Sequence, residues 1–308
     1  MLSGITITCF AASYAVTLVL EVSRLLFQLR VRWLVMIGFA GAGLVAHSAY
    51  LWVLTREELS GKVVAPLSSW YDWCLMGAWI LAVAYLGLAI RRPQNSVGLF
   101  LIPLILALIG AAYAVHNLPS FEREQARHFW GFAHGLLLLV GMVAATLSFS
   151  AGVMYLIQSY RLKKKLPPRP GLRLPSLEWL HRFVRRSLHT SKTFLAFGIL
   201  AGVVYNWIRK TTEGGTIPLS DPVIIYSYAL FLWLAISTIV ELIYRPVRTG
   251  RKVVYMTFAS FVFLGLVLIL VVLGQHGVSP SPAEGQGAHH MPPGAKHLAL
   301  AIGNGDRP

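Results

Sequence analysis

Histidine is the residue type through which this chain could do chemistry, and its placement is uneven. His47 sits within a long apolar run, about seven residues or roughly 10 Å from one end. His116 closes a second such run and His128 precedes a third. His134 lies about one turn inside that third run, and His276 closes the last. An imidazole inside a membrane helix is costly unless paired, so His47 is a functional candidate. A neutral imidazole is also a common axial ligand of haem iron. Two of them on different helices, facing a groove of aromatic and small residues, could hold a porphyrin. Gly43 lies one turn before His47, with Tyr50 and Trp52 after it, and Trp130 lies one turn before His134. His116 and His128 read as interfacial residues, and aromatics near the ends of apolar runs as the belt at a membrane surface. Glu21 is a further ionisable group inside an apolar run, near enough to its end to be partly wet.

Other chemistries lack their residues. Cys9 and Cys74 are isolated, without Cys-x-x-Cys or Cys-x-x-Cys-His, so neither thiol exchange nor covalent haem attachment is encoded. No Walker loop, His-Glu-x-x-His or Gly-x-Ser-x-Gly occurs. His289, His290 and His297 lie in a Gly/Pro/Ala-rich stretch where nothing fixes geometry. The expectation is a protein that is not itself an enzyme.

The elements that must position these histidines are membrane helices. Apolar residues make up 56% of the 308 positions and charged residues 13%, half the share of an ordinary soluble domain. The apolar residues form runs of about twenty, the length that crosses a hydrocarbon core of about 30 Å. Such runs must be helices, which satisfy their own backbone hydrogen bonds where water is absent. The spacing predicts eight spans at 2–23, 33–54, 70–90, 97–116, 129–159, 193–208, 222–244 and 253–275. The run from Leu2 has no basic segment before it and reads as a retained span rather than a signal peptide.

The net charge of +15 is distributed by topology and gives no reason to expect nucleic acid. Nineteen of the 27 Lys and Arg residues fall in alternate connections: those after the first, third, fifth and seventh spans. The positive-inside rule puts those connections in the cytoplasm. The fold class expected is thus an all-α integral membrane protein of about eight helices, with both termini outside. The setting is the lipid bilayer of the cell's inner (plasma) membrane, crossed several times. Residues 1–276 form the membrane domain and 277–308 a disordered outer tail. The connection 160–192 contains Pro167, Pro168 and Pro170, which bar a helix. After Pro175, Leu177, Leu180, Val184 and Leu188 recur at helical spacing among Arg182, Arg185 and Arg186. That pattern reads as a short basic amphipathic helix on the anionic inner leaflet, beside the plainer reading of a loop that only fixes topology. Gly198-x-x-x-Gly202 and Gly38-x-x-x-Ala42 read as helix-packing motifs.

The ordered set of features resembles the cytochrome c assembly protein family, the membrane proteins that handle haem during c-type cytochrome maturation. The residues that carry it begin with His47-Ser48-Ala49-Tyr50, Arg56, Gly61, Pro66-Leu67, Trp79 and Tyr85-Leu86. Gly98 to Leu104 and Phe129-Trp130-Gly131-Phe132-Ala133-His134 follow, then Tyr155 to Gln158 and Lys163-Lys164-Lys165. Leu174 to Glu178, Gly250-Arg251-Lys252 and Leu273-Gly274-Gln275-His276-Gly277 complete it. The resemblance implies that His134 and His276 are the outer pair that holds haem on the non-cytoplasmic face. It implies that His47 is the first membrane-embedded histidine. The family's Trp-rich loop is reduced here to Trp207, Asp221 and Pro222. No histidine occurs in span seven, where Glu241 lies near the corresponding point. The chain is therefore similar to the reduced, eight-span, HemX-like branch.

These expectations combine into a haem-binding component that presents non-covalent b-type haem at the outer face. His134 and His276 are its axial ligands, His47 an inner ligand or relay, and Trp130, Tyr50, Trp207 and Asp221 supporting residues. Apocytochrome c, or another cytochrome assembly partner, supplies the cysteines. One alternative is a HemX-like regulator or scaffold of haem synthesis acting through the basic connection. Another is a haem b electron carrier or a transporter, although the broken helices and mid-membrane charge of a transporter are not prominent.

Overall fold

A computed structural model describes residues 7–26, 31–59, 69–93, 95–118, 129–167, 171–213, 222–243 and 251–273. Among these residues all regular structure is helical. The elements are α1 (Ile7–Ser23), α2 (Arg32–Leu59), α3 (Trp70–Arg91), α4 (Gly98–Val115), α5 (Phe129–Lys163), α6 (Leu177–Glu213), α7 (Pro222–Ile243) and α8 (Arg251–Leu273). Five of them, α2 to α6, contain segments long and apolar enough to cross a membrane. The described parts of α1, α7 and α8 are apolar but shorter. The tail 277–308 and its histidines lie outside the described residues, as do His276, His128 and Asp221.

Local signals set several boundaries. Ser69 and Asp72 form a reciprocal capping box at the start of α3, each accepting from the other's backbone N–H. The α3 end is closed by Arg92 N–H donating to the Leu88 carbonyl at 2.9 Å. Beyond α5, Lys165 takes a positive φ of 49°. There Leu166 N–H donates to the Arg161 carbonyl at 3.0 Å, a left-handed turn that ends the helix without glycine. Pro103 lies inside α4 with its ring on an exposed face.

The core begins where α1, α2, α3 and α4 meet. Phe10, Tyr14, Leu75, Leu81, Tyr85, Leu101, Ile102 and Ile105 are buried there. α3 also packs against α5. The most extensive contact is the α5–α6 hairpin, which small residues permit. A Cβ on Gly141 would lie 2.7 Å from the Leu195 side chain, and one on Gly198 2.7 Å from Leu138. Ser148 Oγ donates to the Val184 carbonyl at 3.0 Å across the same interface. Gly198-x-x-x-Gly202 is therefore a packing motif. Gly38 meets nothing within 4 Å and Ala42 is exposed, so Gly38-x-x-x-Ala42 is not one within this chain.

Two expectations about α6 are overturned. The segment from Leu177 is not a separate surface helix, because it continues unbroken to Glu213. Its apolar stripe is buried inside the protein rather than in lipid: Leu180 and Val184 are 0% exposed and Leu188 3%. Lys192, expected in a cytoplasmic connection, is buried. It stands about one turn from Leu195, which faces Gly141, and so roughly level with the middle of α3. The arginines on the opposite face of α6 hid this helix from a hydropathy reading, which placed its span at 193–208.

Three of the four basic connections meet at one end of the bundle. Arg24 donates to the Asn95 carbonyl at 3.1 Å, and Ser96 N–H donates to the Arg173 carbonyl at 2.9 Å. Ser96 Oγ donates to the Gly171 carbonyl at 3.3 Å. Gly171 approaches Arg24 and Leu25 so closely that no Cβ would fit. The Arg92 guanidinium lies 4.6 Å over the Trp179 ring. Glu21 lies at this basic end, and the expectation that it is partly wet is incorrect, since it is 1% exposed. Tyr85 and the Gly98 backbone hydrogen-bond to its carboxylate, with Arg24 3.9 Å away. No side chain of its own caps α4, and the Glu21 carboxyl of α1 accepts from the backbone at that helix N-terminus instead. Glycine at 98 makes room for it.

Candidate functional site

His134 lies near the start of α5, at the end of the bundle opposite the basic connections. Glycines build its surroundings. Gly202, one turn beyond Gly198 on α6, leaves the space that the imidazole fills; a Cβ there would lie 2.7 Å from Nδ1. Gly135, next in sequence, leaves space for the Trp73 ring of α3, 2.6 Å from where its Cβ would be. His134 Nδ1 is 2.7 Å from the Gly198 carbonyl oxygen. A carbonyl only accepts, so Nδ1 carries the proton and Nε2 is the nitrogen with a lone pair. An imidazole oriented by a backbone carbonyl through one nitrogen is suited to ligate a metal through the other. The donor chemistry at His134 therefore fits haem iron.

Trp130 and Trp207, expected as supporting residues, lie toward the same end. Trp130 is partly exposed one turn before His134, edge-on to Phe129 with centroids 5.7 Å apart. Trp207 is 66% exposed, on the part of α6 that continues about five residues, or roughly 7 Å, past Gly202. α8 runs antiparallel to α5. Phe149 stacks on Phe261 at 4.3 Å, and Gly152 approaches Val254 and Phe258. Extending that register by about twelve residues brings Leu273, the end of α8, level with about residue 137 of α5. The last described residue before His276 thus reaches nearly the height of His134.

His47 is elsewhere. It is 0% exposed and lies between α1 and α2, stacked on Phe10 with centroids 4.2 Å apart and planes within 1°. Tyr14 lies edge-on to it at 6.2 Å. Gly43 admits this contact: a Cβ there would lie 3.0 Å from Ser13 Cβ. His134 belongs to the α5–α6 interface, so the two histidines do not share a groove. Tyr50 leans on Phe10 and its hydroxyl lies 2.5 Å from that of Tyr71. The neighbouring Trp79 Nε1 donates to Ser48 Oγ at 2.8 Å. His116 is exposed, with Nδ1 2.7 Å from the Tyr113 carbonyl oxygen, as an interfacial residue would be. Phe10, Tyr14 and Trp73 escaped the sequence reading, because an aromatic in an apolar run carries no signal of what it packs against. Among the described residues, no group of three or more His, Cys, Asp and Glu side chains could hold a metal ion.

An all-helical bundle with five helices of membrane length and apolarity is a multi-pass membrane protein. Residues 67–279, more than half of the chain, match the family described as Cytochrome C assembly protein. The chain belongs to that family, and its role lies in the biogenesis of c-type cytochromes. No curated protein and no solved structure matches it. His134 and His276 fall inside the matched segment. His47, α1 and α2 precede it.

Proposed function

We propose that this protein binds haem non-covalently and presents it at the non-cytoplasmic face of the inner (plasma) membrane for attachment to apocytochrome c. His134 and His276 hold the iron, and Trp130 and Trp207, with Asp221, line the site. The observation that carries this reading is His134 itself. It is held through Nδ1 by the Gly198 carbonyl and stands at the end of the bundle that α8 reaches just before His276. Eight spans with both termini outside fit the charge pattern, because the basic connections then share the cytoplasmic side. The chain's own residues orient and shelter the haem; the partner supplies the cysteines. The short connection between α6 and α7 suits the reduced, HemX-like branch of the family.

The test is the absorption spectrum of the purified protein, oxidised and reduced, beside His134→Ala and His276→Ala. A Soret band with the α and β bands of bis-imidazole haem, lost in either variant, is the expected result. A haem-free wild type from haem-replete cells would overturn it.

A second reading has an observation of its own. Residues 171–176 are docked on the α3–α4 turn, and Arg182, Arg185 and Arg186 are exposed on the rigid α6 that follows. This ordered basic surface suits a regulator that contacts a haem-synthesis enzyme. Replacing these three arginines with Gln would then abolish enzyme control and leave cytochrome assembly intact.

A further inference from the structure

Among the described residues, the α1–α2 interface holds three buried polar atoms without a hydrogen-bond partner: Tyr14 Oη, His47 Nδ1 and His47 Nε2. An unsatisfied buried polar group costs about 1–3 kcal/mol, so native cores rarely collect several in one place. The histidine is nonetheless sealed. Phe10 lies flat on one face, Tyr14 approaches edge-on, and no part of the residue is exposed. Both covering rings come from α1. A contact that is well packed in its apolar parts and unpaired in its polar parts favours exchange with a state in which the imidazole finds a partner. Gly43 makes the closed contact tight, with Ser13 and Tyr14 seated against its backbone. Both helices lie before the segment that defines the family.

We infer that α1 is a movable cover over His47, and that the Phe10–His47 stack must open before this histidine can take a ligand or pass a proton. The inference deepens the reading of His47 as an inner ligand or relay and rests on it only for the ligand's identity. α1 keeps the buried imidazole closed while the haem site at His134 stands apart on α5 and α6. Access to one histidine is thereby controlled separately from access to the other.

The experiment locks the cover. In a Cys9→Ser, Cys74→Ser background, Ser13→Cys and Gly43→Cys put two Cβ atoms about 3 Å apart. That is about half an ångström short of the lower end of the usual disulfide separation of about 3.5–4.5 Å. The full-length protein in nanodiscs is treated with diethylpyrocarbonate, and modification of His47 is followed by mass spectrometry. Oxidation should slow His47 labelling by about tenfold or more, as expected when reaction requires local opening. Dithiothreitol should restore the rate in the same sample, which controls for folding, and Phe10→Ala should exceed wild type. Equal rates in the oxidised and reduced forms would overturn the cover. So would a His47 that stays unlabelled even in Phe10→Ala. A lock that controls labelling without any His47-dependent change in the haem spectrum would uphold the cover and remove haem as its ligand.

Discussion

The Gly198 carbonyl accepts a hydrogen bond from His134 Nδ1 at 2.7 Å, and Gly202, four residues on, leaves the space in which the ring lies. One face of α6 thus fixes both the orientation of the imidazole and its tautomer. The packing motif of α6 and the candidate ligand of α5 are parts of one device.

Gly202→Ala tests that device without touching the ligand. Its Cβ would lie 2.7 Å from Nδ1, so the ring must tilt away from the Gly198 carbonyl. We expect haem affinity to fall about 10- to 100-fold, the usual effect of disturbing a group that orients a metal-bound histidine. Titration of the haem-depleted protein, followed at the Soret band, measures it. Unchanged affinity would separate the motif from the site.

Gly98→Ala should destabilise the protein by about 1–3 kcal/mol, because its Cβ meets the Glu21 carboxylate at the start of α4. Glu21→Ala in the same chain removes that collision, so the double variant should lose less than the sum of the two single changes. Thermal unfolding in detergent, followed by the tryptophan signal, gives the cycle. Additive losses would show that the two residues do not oppose one another.

Ser69→Ala should cost about 1 kcal/mol by removing half of the capping box on α3. The loss should be local. Hydrogen exchange should rise in the first turn of α3, near Trp70 to Trp73, and remain slow at Leu81 and Tyr85.

Lys165→Cys, in a background without native cysteines, reports on topology. A membrane-impermeant maleimide should label it in inside-out vesicles and leave it untouched in intact cells. Labelling in intact cells would reverse the assigned orientation and move His134 to the cytoplasmic side.

Much of the architecture was legible because apolar run length maps directly onto helices in a bilayer. The α3 and α4 boundaries, Trp70–Arg91 and Gly98–Val115, fall within one residue of those read from sequence. α6 was misjudged because Leu180, Val184 and Leu188 show helical spacing without showing what they pack against. The same stripe suits lipid or protein, and the small residues of α5 decide for protein. His47 was legible as a buried ionisable residue. Its separation from His134 was not, since which interface a helix face enters depends on contacts between segments far apart in sequence. Phe10 and Tyr14 had no sequence signal, as their role appears only when α1 is laid against α2.

Glu21 has one further consequence, which concerns the order in which the chain is made. It is translated about 75 residues before Gly98, an interval of several seconds at about 5–20 residues per second. During that interval α4 does not exist, and the carboxylate enters the bilayer region without the helix end it will later cap. Arg24, one turn away and 3.9 Å distant in the finished protein, is already synthesised and able to shield it. The partners that Tyr85 and Gly98 provide for Glu21 are thus made last, well after Arg24.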